Sequence, residues 1–362
     1  MSPAELQALL QLWHVPGIGS WRMRKLLARF QTAGQVLRAS VRELSQVDGI
    51  DQVLAGHIKQ SAAEGFAEDQ LKRVQAHHTQ LLTFWDADYP EWLKTINDPP
   101  VVLFVQGSLS CLSQKQVAVV GTRNPSVYGR LMAEQFGRDL TVAGFCVVSG
   151  LARGVDTFAH RAALTTGGST IAVLASGVDV IYPEENLGLA QEIAERGALV
   201  SEYPMATKPE ASYFPRRNRI IAGLSLATLV IEAGQGSGAL ITADYALESN
   251  REVLALPGNI NNAKSLGCNR LIQQGAKLVT CVEDILEELP GCDAVAEAKT
   301  ASLLLSQEEE RLLALLTTEP QHIDALASSA ALSTAKVLPV LLQLELRGLV
   351  LQLAGKRFVR KG

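Results

Sequence analysis

Apolar residues follow three kinds of pattern along the 362-residue chain. In the first hundred residues they recur at helical spacing. The segment LLQLWHVPGIGSWRMRKLLARF reads as a helix, a tight VPGIG turn and a second helix with Met23, Leu26, Leu27 and Phe30 on one face. In the middle of the chain, short apolar strands begin near Val117, Phe145, Thr170, Ala198, Ala227, Glu252 and Lys277, at separations of 28, 25, 28, 29, 25 and 25 residues. Each gap has room for a helix. Met132, Phe136 and Leu140 share a helical face in the first gap, and Leu189 and Ile193 do so in the third. Strands alternating with helices predict an α/β fold with a doubly wound, mostly parallel sheet covered on both faces. From about Gln307 the chain gives helical stretches EEERLLALL, HIDALASSA and TAKVLPVLLQLELRG, then two short strands about Gly355, which together predict a winged helix. Pro339 is expected to kink its third helix.

Composition narrows the class. With 47% hydrophobic and 19% charged residues the chain is an ordinary soluble globular protein. No run approaches the roughly 18 apolar residues of a spanning helix, and MSPAELQALL lacks the features of an export signal, so a cytoplasmic protein without membrane contact is expected. Five widely spaced cysteines without a CxxC pair suggest neither disulfides nor zinc, and no cofactor is expected. A net charge of −4 argues against coating nucleic acid by bulk attraction, so any polyanion site must be local. The stretch from Glu283 to Glu310 carries nine acidic side chains and one basic, which suits an exposed connector. Pro99, Pro100 and Gly107 suggest an earlier break. The expected organisation is a helical unit over 1–105, the α/β unit over 106–290, an acidic linker over 291–306 and a winged helix over 307–362.

Ligands on doubly wound sheets bind beyond the carboxyl ends of the strands, so chemistry is sought in the segments that follow them. After the first strand, GTRNPSVYGR offers Gly121, Thr122 and Arg123 at a turn whose bare amides and helix dipole attract anions. It has neither GxGxxG nor a GxxxxGKS-type loop, so dinucleotide and nucleoside-triphosphate readings find no support. After the second strand, Ser149, Gly150, Arg153 and Gly154 form a loop, and Asp156 and His160 then share a helix face. These two are either an acid/base pair or a capping and core pair. Past the fourth strand, YFPRRNRIIAGLS holds the densest positive cluster, Arg216, Arg217 and Arg219 around Asn218, just before an apolar helix. Arginine forks suit phosphates, and Phe214 can stack on an unpaired base; the alternative is that Phe214 is core and some arginines bind inside the fold. Gly234, Gly236 and Gly238 make a second anion-friendly turn, and the asparagines of LPGNINNAKSLGCNRLI read as turn chemistry. In the first unit, VPGIG with its flanking helices resembles the helix-hairpin-helix motif, whose turn amides can grip a phosphate. Six basic side chains between residues 17 and 45 (Arg22, Arg24, Lys25, Arg29, Arg38, Arg42) support that reading against a hairpin whose glycines only make the bend.

Taken in order, VAVVGTRNPSVYG, SGLARGVDTFAHRAAL, TIAVLASGVDVIYPEEN, SEYPMATKP, FPRRNRIIAGLS, VIEAGQGSGALITADYALESNREVLALPGNI and LGCNRLIQQGA resemble the DNA-processing protein A family (DprA, also called Smf) across the whole central unit. The resemblance implies an extended Rossmann-like domain between a helix-hairpin-helix (SAM-like) domain and a winged helix. It further implies a non-catalytic single-stranded DNA-binding protein, commonly a homodimer, that protects incoming DNA and helps load the RecA recombinase in natural transformation. Carried over residue by residue, Gly121, Thr122 and Arg123 match the family's DNA-contact motif. Arg216 and Arg217 match its basic cleft, and Ser149, Gly150, Arg153 and Gly154 its neighbouring loop. Phe214, Asn218 and Arg219 complete the candidate interface. Ala175-Ser176-Gly177 departs from the family, which usually has glycine first.

Two other readings compete. A nucleotide-processing enzyme of the lysine-decarboxylase-like Rossmann type shares this sheet, but its PGGxGT signature is replaced by EAGQGSGALIT, leaving Glu232 as the candidate carboxylate. A transcription regulator acting through the winged helix meets a third helix whose basic groups are only Lys336 and Arg347, despite Lys356, Arg357, Arg360 and Lys361 near the wing.

Overall fold

The computed structural model describes residues 1–61, 65–289, 307–317, 320–330, 332–346, 349–353 and 355–360. The expected acidic linker 291–306, Arg347 and Lys361 lie outside the described residues. The chain divides into two compact units, Met1–Cys292 and Asp293–Gly362.

The first unit is built on nine strands: β1 (Gln80–Thr83), β2 (Val102–Gly107), β3 (Gln116–Val120), β4 (Cys146–Ser149), β5 (Thr170–Val173), β6 (Ala198–Ser201), β7 (Ala227–Val230), β8 (Glu252–Ala255) and β9 (Lys277–Leu278). Their order across the sheet is β1-β2-β6-β5-β4-β3-β7-β8-β9. The seven expected strands are β3 to β9, each starting within one residue of its expected position, and every pairing among them is parallel. Strands β3 to β7 are buried along their whole length, which is why each reads as an unbroken apolar run.

The expected division at 105/106 does not match the backbone pairing, because it cuts through β2. That strand runs antiparallel to β6, with Phe104 opposite Ser201 and Gly107 opposite Ala198, and β1 pairs antiparallel to β2. Gly107 does not open a free turn either: at φ +111° it closes β2, and a Cβ there would sit 2.4 Å from the Gly197 carbonyl. The N-terminal helices share a core with the sheet, since Leu9, Leu12, Met23 and Leu26 belong to one buried cluster with Val102, Phe104, Leu174 and Met205. The Met205 amide also donates to Gln70 Oε1 at 2.8 Å. As expected, Pro3–Trp13 and Ser20–Phe30 are helices joined by the VPGIG turn.

A titratable group is buried behind the sheet edge. Thr170 donates its hydroxyl to the Val147 carbonyl at 2.6 Å, so its oxygen accepts Nδ1–H of His160 at 2.7 Å, and His160 Nε2 is left without a partner. Burial, with the nearby Arg217 charge second, pushes this imidazole down to about 3. The folded protein therefore refuses a proton that the unfolded chain accepts near the ordinary value of 6.5. Stability from this residue is complete above that value and is lost as pH falls towards 3, by about 1.4 kcal/mol per pH unit. Urea unfolding between about pH 7 and about pH 5 is expected to show this loss in the wild type, and His160→Gln is expected to remove that part of the slope.

In the second unit, helices Gln307–Leu315, Ile323–Ala330 and Thr334–Leu346 pack with β10 (Gln321–His322), β11 (Val350–Leu353) and β12 (Arg357–Arg360), in the sheet order β10-β12-β11. Leu312, Ile323, Leu326, Val337, Leu341 and Phe358 form its core. This is the expected winged helix with one extra short strand. Its third helix carries Pro339 in its interior and exposes Leu338 and Leu342, so its outer face is apolar rather than basic.

Candidate functional site

The sheet order fixes where a crevice opens. The chain steps from β3 outwards through β4, β5 and β6, then returns to the other side of β3 for β7 and continues through β8 and β9. The loops after β3 and β7 therefore leave in opposite directions, and a crevice forms at the carboxyl ends of these two strands. A cleft of about 810 Å³ lies there. Gly121, Thr122 and Arg123 line it from the β3 side, Gly234 to Gly238 from the β7 side, Phe214, Arg217 and Asn218 from the Tyr213–Leu224 helix, and Lys264 from the segment after β8.

Arg123 is exposed and forms no ion pair among the described residues. Its guanidinium carbon lies 5.4 Å from the centre of the Phe214 ring, and Phe214 meets Tyr182 on another side at 5.7 Å. Phe214 is half-buried at the cleft wall, neither core nor free. Arg123 is positioned by its neighbours. The Thr122 amide donates to the Glu232 carbonyl at 2.7 Å, and Gly154, at φ +77°, packs so closely that an added Cβ would stand 2.4 Å from the Thr122 carbonyl.

Several of the amides after β3 have partners within the fold. Glu232, 1% exposed, accepts the Ser126 amide and the Ser126 hydroxyl, each at 2.7 Å, and Ser126 Oγ accepts the Gly129 amide at 3.1 Å. A protein carboxylate thus fills the anion position at the start of the Val127–Val142 helix. Glu232, the candidate carboxylate of the nucleotide-enzyme alternative, is thus hydrogen-bonded within the fold. Asp156 and His160 are likewise not bonded to each other: Asp156 accepts the Gly150 and Ala152 amides at 3.0 and 3.3 Å. Burial raises the Asp156 carboxyl, opposed by Arg217 and these amides.

The loop after β4 splits. Ser149 and Gly150 are buried; Ser149 donates to the Val119 carbonyl at 2.6 Å, and Gly150 lines a small hollow with Arg123, Arg153 and Phe214. Arg153 is exposed and pairs with Glu185 at 2.8 Å, both side chains more than half exposed. Such a pair is worth at most about 1 kcal/mol and is readily exchanged.

The arginine cluster does not precede the helix, as its density suggested, but lies inside it, because the helix starts at Tyr213. Successive residues therefore point in different directions. Arg216 faces outwards, 3.8 Å from Glu202. Arg219 is buried in an ion pair with Glu202, with Asp98 at 3.6 Å. Arg217 is 4% exposed and donates Nη1 to the carbonyls of Gly150, at 2.6 Å, and Val173, and Nε to Asn218 Oδ1 at 3.2 Å. Burial pulls its guanidinium down to about 10, while Asp156 acts the other way, so it remains a cation at neutral pH beneath the cleft. Asn218 in turn donates to the Gly238 carbonyl at 3.2 Å and holds the opposite wall.

On that wall the amides of Gly236 and Gly238 have no acceptor among the described residues, and both residues are exposed. The expectation of an anion-friendly turn therefore rests on the β7 loop. Lys264, which the sequence reading passed over, donates to the carbonyl of Asn124, the residue after Arg123, at 2.7 Å and brings a second charge to the cleft. Its signal was its position after a strand at the same sheet edge, masked by asparagines that do serve turns: Asn259 Oδ1 accepts the Asn261 amide and Asn262 Oδ1 the Lys264 amide. The cleft therefore combines two cations and two open amides with an aromatic ring at its mouth. Among the described residues no cluster of His, Cys, Asp or Glu is placed to hold a metal, and no helix is long and apolar enough to cross a membrane.

Comparison with known proteins adds the following. The family model described as DNA recombination-mediator protein A matches residues 80–290, and that of the DprA winged helix domain matches residues 296–356. The Protein Smf of Synechocystis is 35% identical over 98% of this chain and 99% of its own length. The X-ray structure of DNA processing protein A from Streptococcus pneumoniae superposes with a TM-score of 0.70 at 35% identity, covering 80% of this chain and 98% of that one. A structure of the Helicobacter pylori protein, which concerns that protein's single-stranded DNA binding mode, has a TM-score of 0.53 at 29% identity over 61% of this chain and 98% of that one.

Proposed function

Since the chain belongs to the DNA recombination-mediator protein A (DprA/Smf) family, we propose that it is a single-stranded DNA-binding protein that acts by holding the strand and not by catalysis. The strand crosses the switch-point cleft, its phosphates meeting Arg123, Lys264 and the open amides of Gly236 and Gly238. Arg153 joins them by exchanging Glu185 for a phosphate. An unpaired base lies against Phe214, a contact worth about 1–3 kcal/mol with little base choice. The observation that carries this reading is the convergence of Arg123, Lys264 and the Gly236 and Gly238 amides, drawn from three distant segments, on one cleft beside an aromatic ring. The single-stranded DNA binding mode of the Helicobacter pylori relative supports it. The remaining parts of the proposal rest on family resemblance: protection of incoming DNA, help in loading the RecA recombinase during natural transformation, a homodimer and a cytoplasmic location.

Fluorescence anisotropy of a labelled single-stranded oligonucleotide, titrated between about 50 and about 200 mM salt, tests the electrostatic core of this account. Three phosphate contacts predict that log K falls with log salt at a slope of about −2. A slope near zero would contradict it.

A further inference from the structure

Arg123 and Lys264 reach the cleft from two loops, and one buried residue just past the end of β7 grips both. Glu232 accepts the Thr122 amide on its carbonyl, and the Ser126 amide and hydroxyl on its carboxylate, all at 2.7 Å. The loop 122–126 is therefore pinned at its two ends by a single residue, with Arg123 and Asn124 exposed between the pins. Inside the loop the Asn124 amide donates to Thr122 Oγ1 at 3.3 Å, and Pro125 restricts the backbone further. The Asn124 carbonyl is the one that accepts Lys264 Nζ, so the second cation takes its place from the same loop. The loop after β8 is tied in as well. Asn262 Nδ2 donates to Glu232 Oε1 at 3.4 Å, while Asn262 Oδ1 accepts the Lys264 amide at 3.0 Å.

The packing is cut to fit this carboxylate. Gly129 stands in the first turn of the Val127–Val142 helix, and a Cβ there would overlap Glu232 Oε2. A buried carboxylate is costly unless its oxygens are hydrogen-bonded, and the side chains and amide that satisfy this one come from the two loops that carry the cations. An apolar residue could fill the same volume, but it would leave the Ser126 amide without its acceptor and the loops untied.

We propose that Glu232 is a positioning residue for strand binding. It touches no phosphate; it fixes the loop from which Arg123 projects and against which Lys264 is held, so that both cations are preorganised for the strand. This assignment rests on the reading of the cleft as the single-strand site.

Anisotropy of labelled oligo-dT on the full chain at low salt tests it as a cycle, with Glu232→Ala made in wild type and in the double variant Arg123→Ala, Lys264→Ala. In wild type the substitution should cost about tenfold in affinity. In the double variant it should cost less than about twofold, because the cations through which Glu232 acts are gone. Glu232→Gln keeps an acceptor for the Ser126 amide and a partner for the hydroxyl, which can turn to accept, so it should stay within about threefold of wild type. A residue that only stabilises the fold would give the same loss in both backgrounds. Where circular dichroism shows Glu232→Ala unfolded, Gly129→Ala replaces it in the cycle: its methyl drives the carboxylate off Ser126 while favouring the helix, and the same pattern is expected. An equal loss in both backgrounds, no rescue by Glu232→Gln, or wild-type affinity in the folded single variant would overturn the positioning role and leave the cleft standing. If wild type binds no oligonucleotide, or the double variant binds as tightly as wild type, the cleft reading fails and takes this proposal with it.

Discussion

Replacing Arg217 by alanine is expected to destabilise the first unit by about 3–5 kcal/mol, the range for removing one partner from a buried charged network. The guanidinium donates to the carbonyls of Gly150 and Val173, which the variant leaves buried without a donor. It is also the nearest favourable charge to Asp156, which is itself buried and already raised. Arg217→Lys restores a charge but not a fork that serves two carbonyls and Asn218, so an intermediate loss is expected. Chemical denaturation of the full chain, followed by tryptophan fluorescence, measures this, with Arg153→Ala as an exposed control expected to change stability by less than about 0.5 kcal/mol. The sequence alone left two readings of Arg217, an arginine bound inside the fold or a phosphate ligand, and the second implies a loss of binding without a loss of stability. Unchanged stability in Arg217→Ala would restore that view.

The second large effect is on binding. The double variant Arg123→Ala, Lys264→Ala removes two charges that line the cleft. Each charge-assisted contact is worth about 1.5–3 kcal/mol, so a loss of about a hundredfold or more in single-strand affinity is expected. The salt slope should shrink by about 1.4, the share of two phosphates. Stability should stay within about 0.5 kcal/mol of wild type, because Arg123 is exposed and Lys264 makes a single bond to a loop carbonyl. Wild-type affinity in a folded double variant would show that the strand lies elsewhere.

How much of this was legible in the sequence depended on what each signal encodes. Strands β3 to β7 stood out because burial on both faces leaves them almost purely apolar, and the spacing of 25 to 29 residues exposed the crossover helices. β1 and β2 escaped notice because they join the sheet antiparallel, outside the alternation of strand and crossover helix, and Pro99-Pro100 looked like a break when it leads directly into a strand. Arg216, Arg217 and Arg219 showed charge density but not direction; a helix start at Tyr213 sends one outwards, one under the cleft and one into a buried ion pair. The slot after β3 looked open because the carboxylate that fills it, Glu232, lies 106 residues beyond Ser126. Arg123 and Phe214 lie side by side at one cleft because both follow strands at the same sheet edge.

The most direct test of the central claim is a competition experiment on the full chain. A labelled single-stranded oligonucleotide is bound at low salt and challenged with unlabelled single strand or with duplex of the same sequence. A cleft that holds phosphates beside an aromatic ring for an unpaired base predicts that single strand displaces the label at least about tenfold more effectively than duplex. Equal displacement by duplex would contradict it.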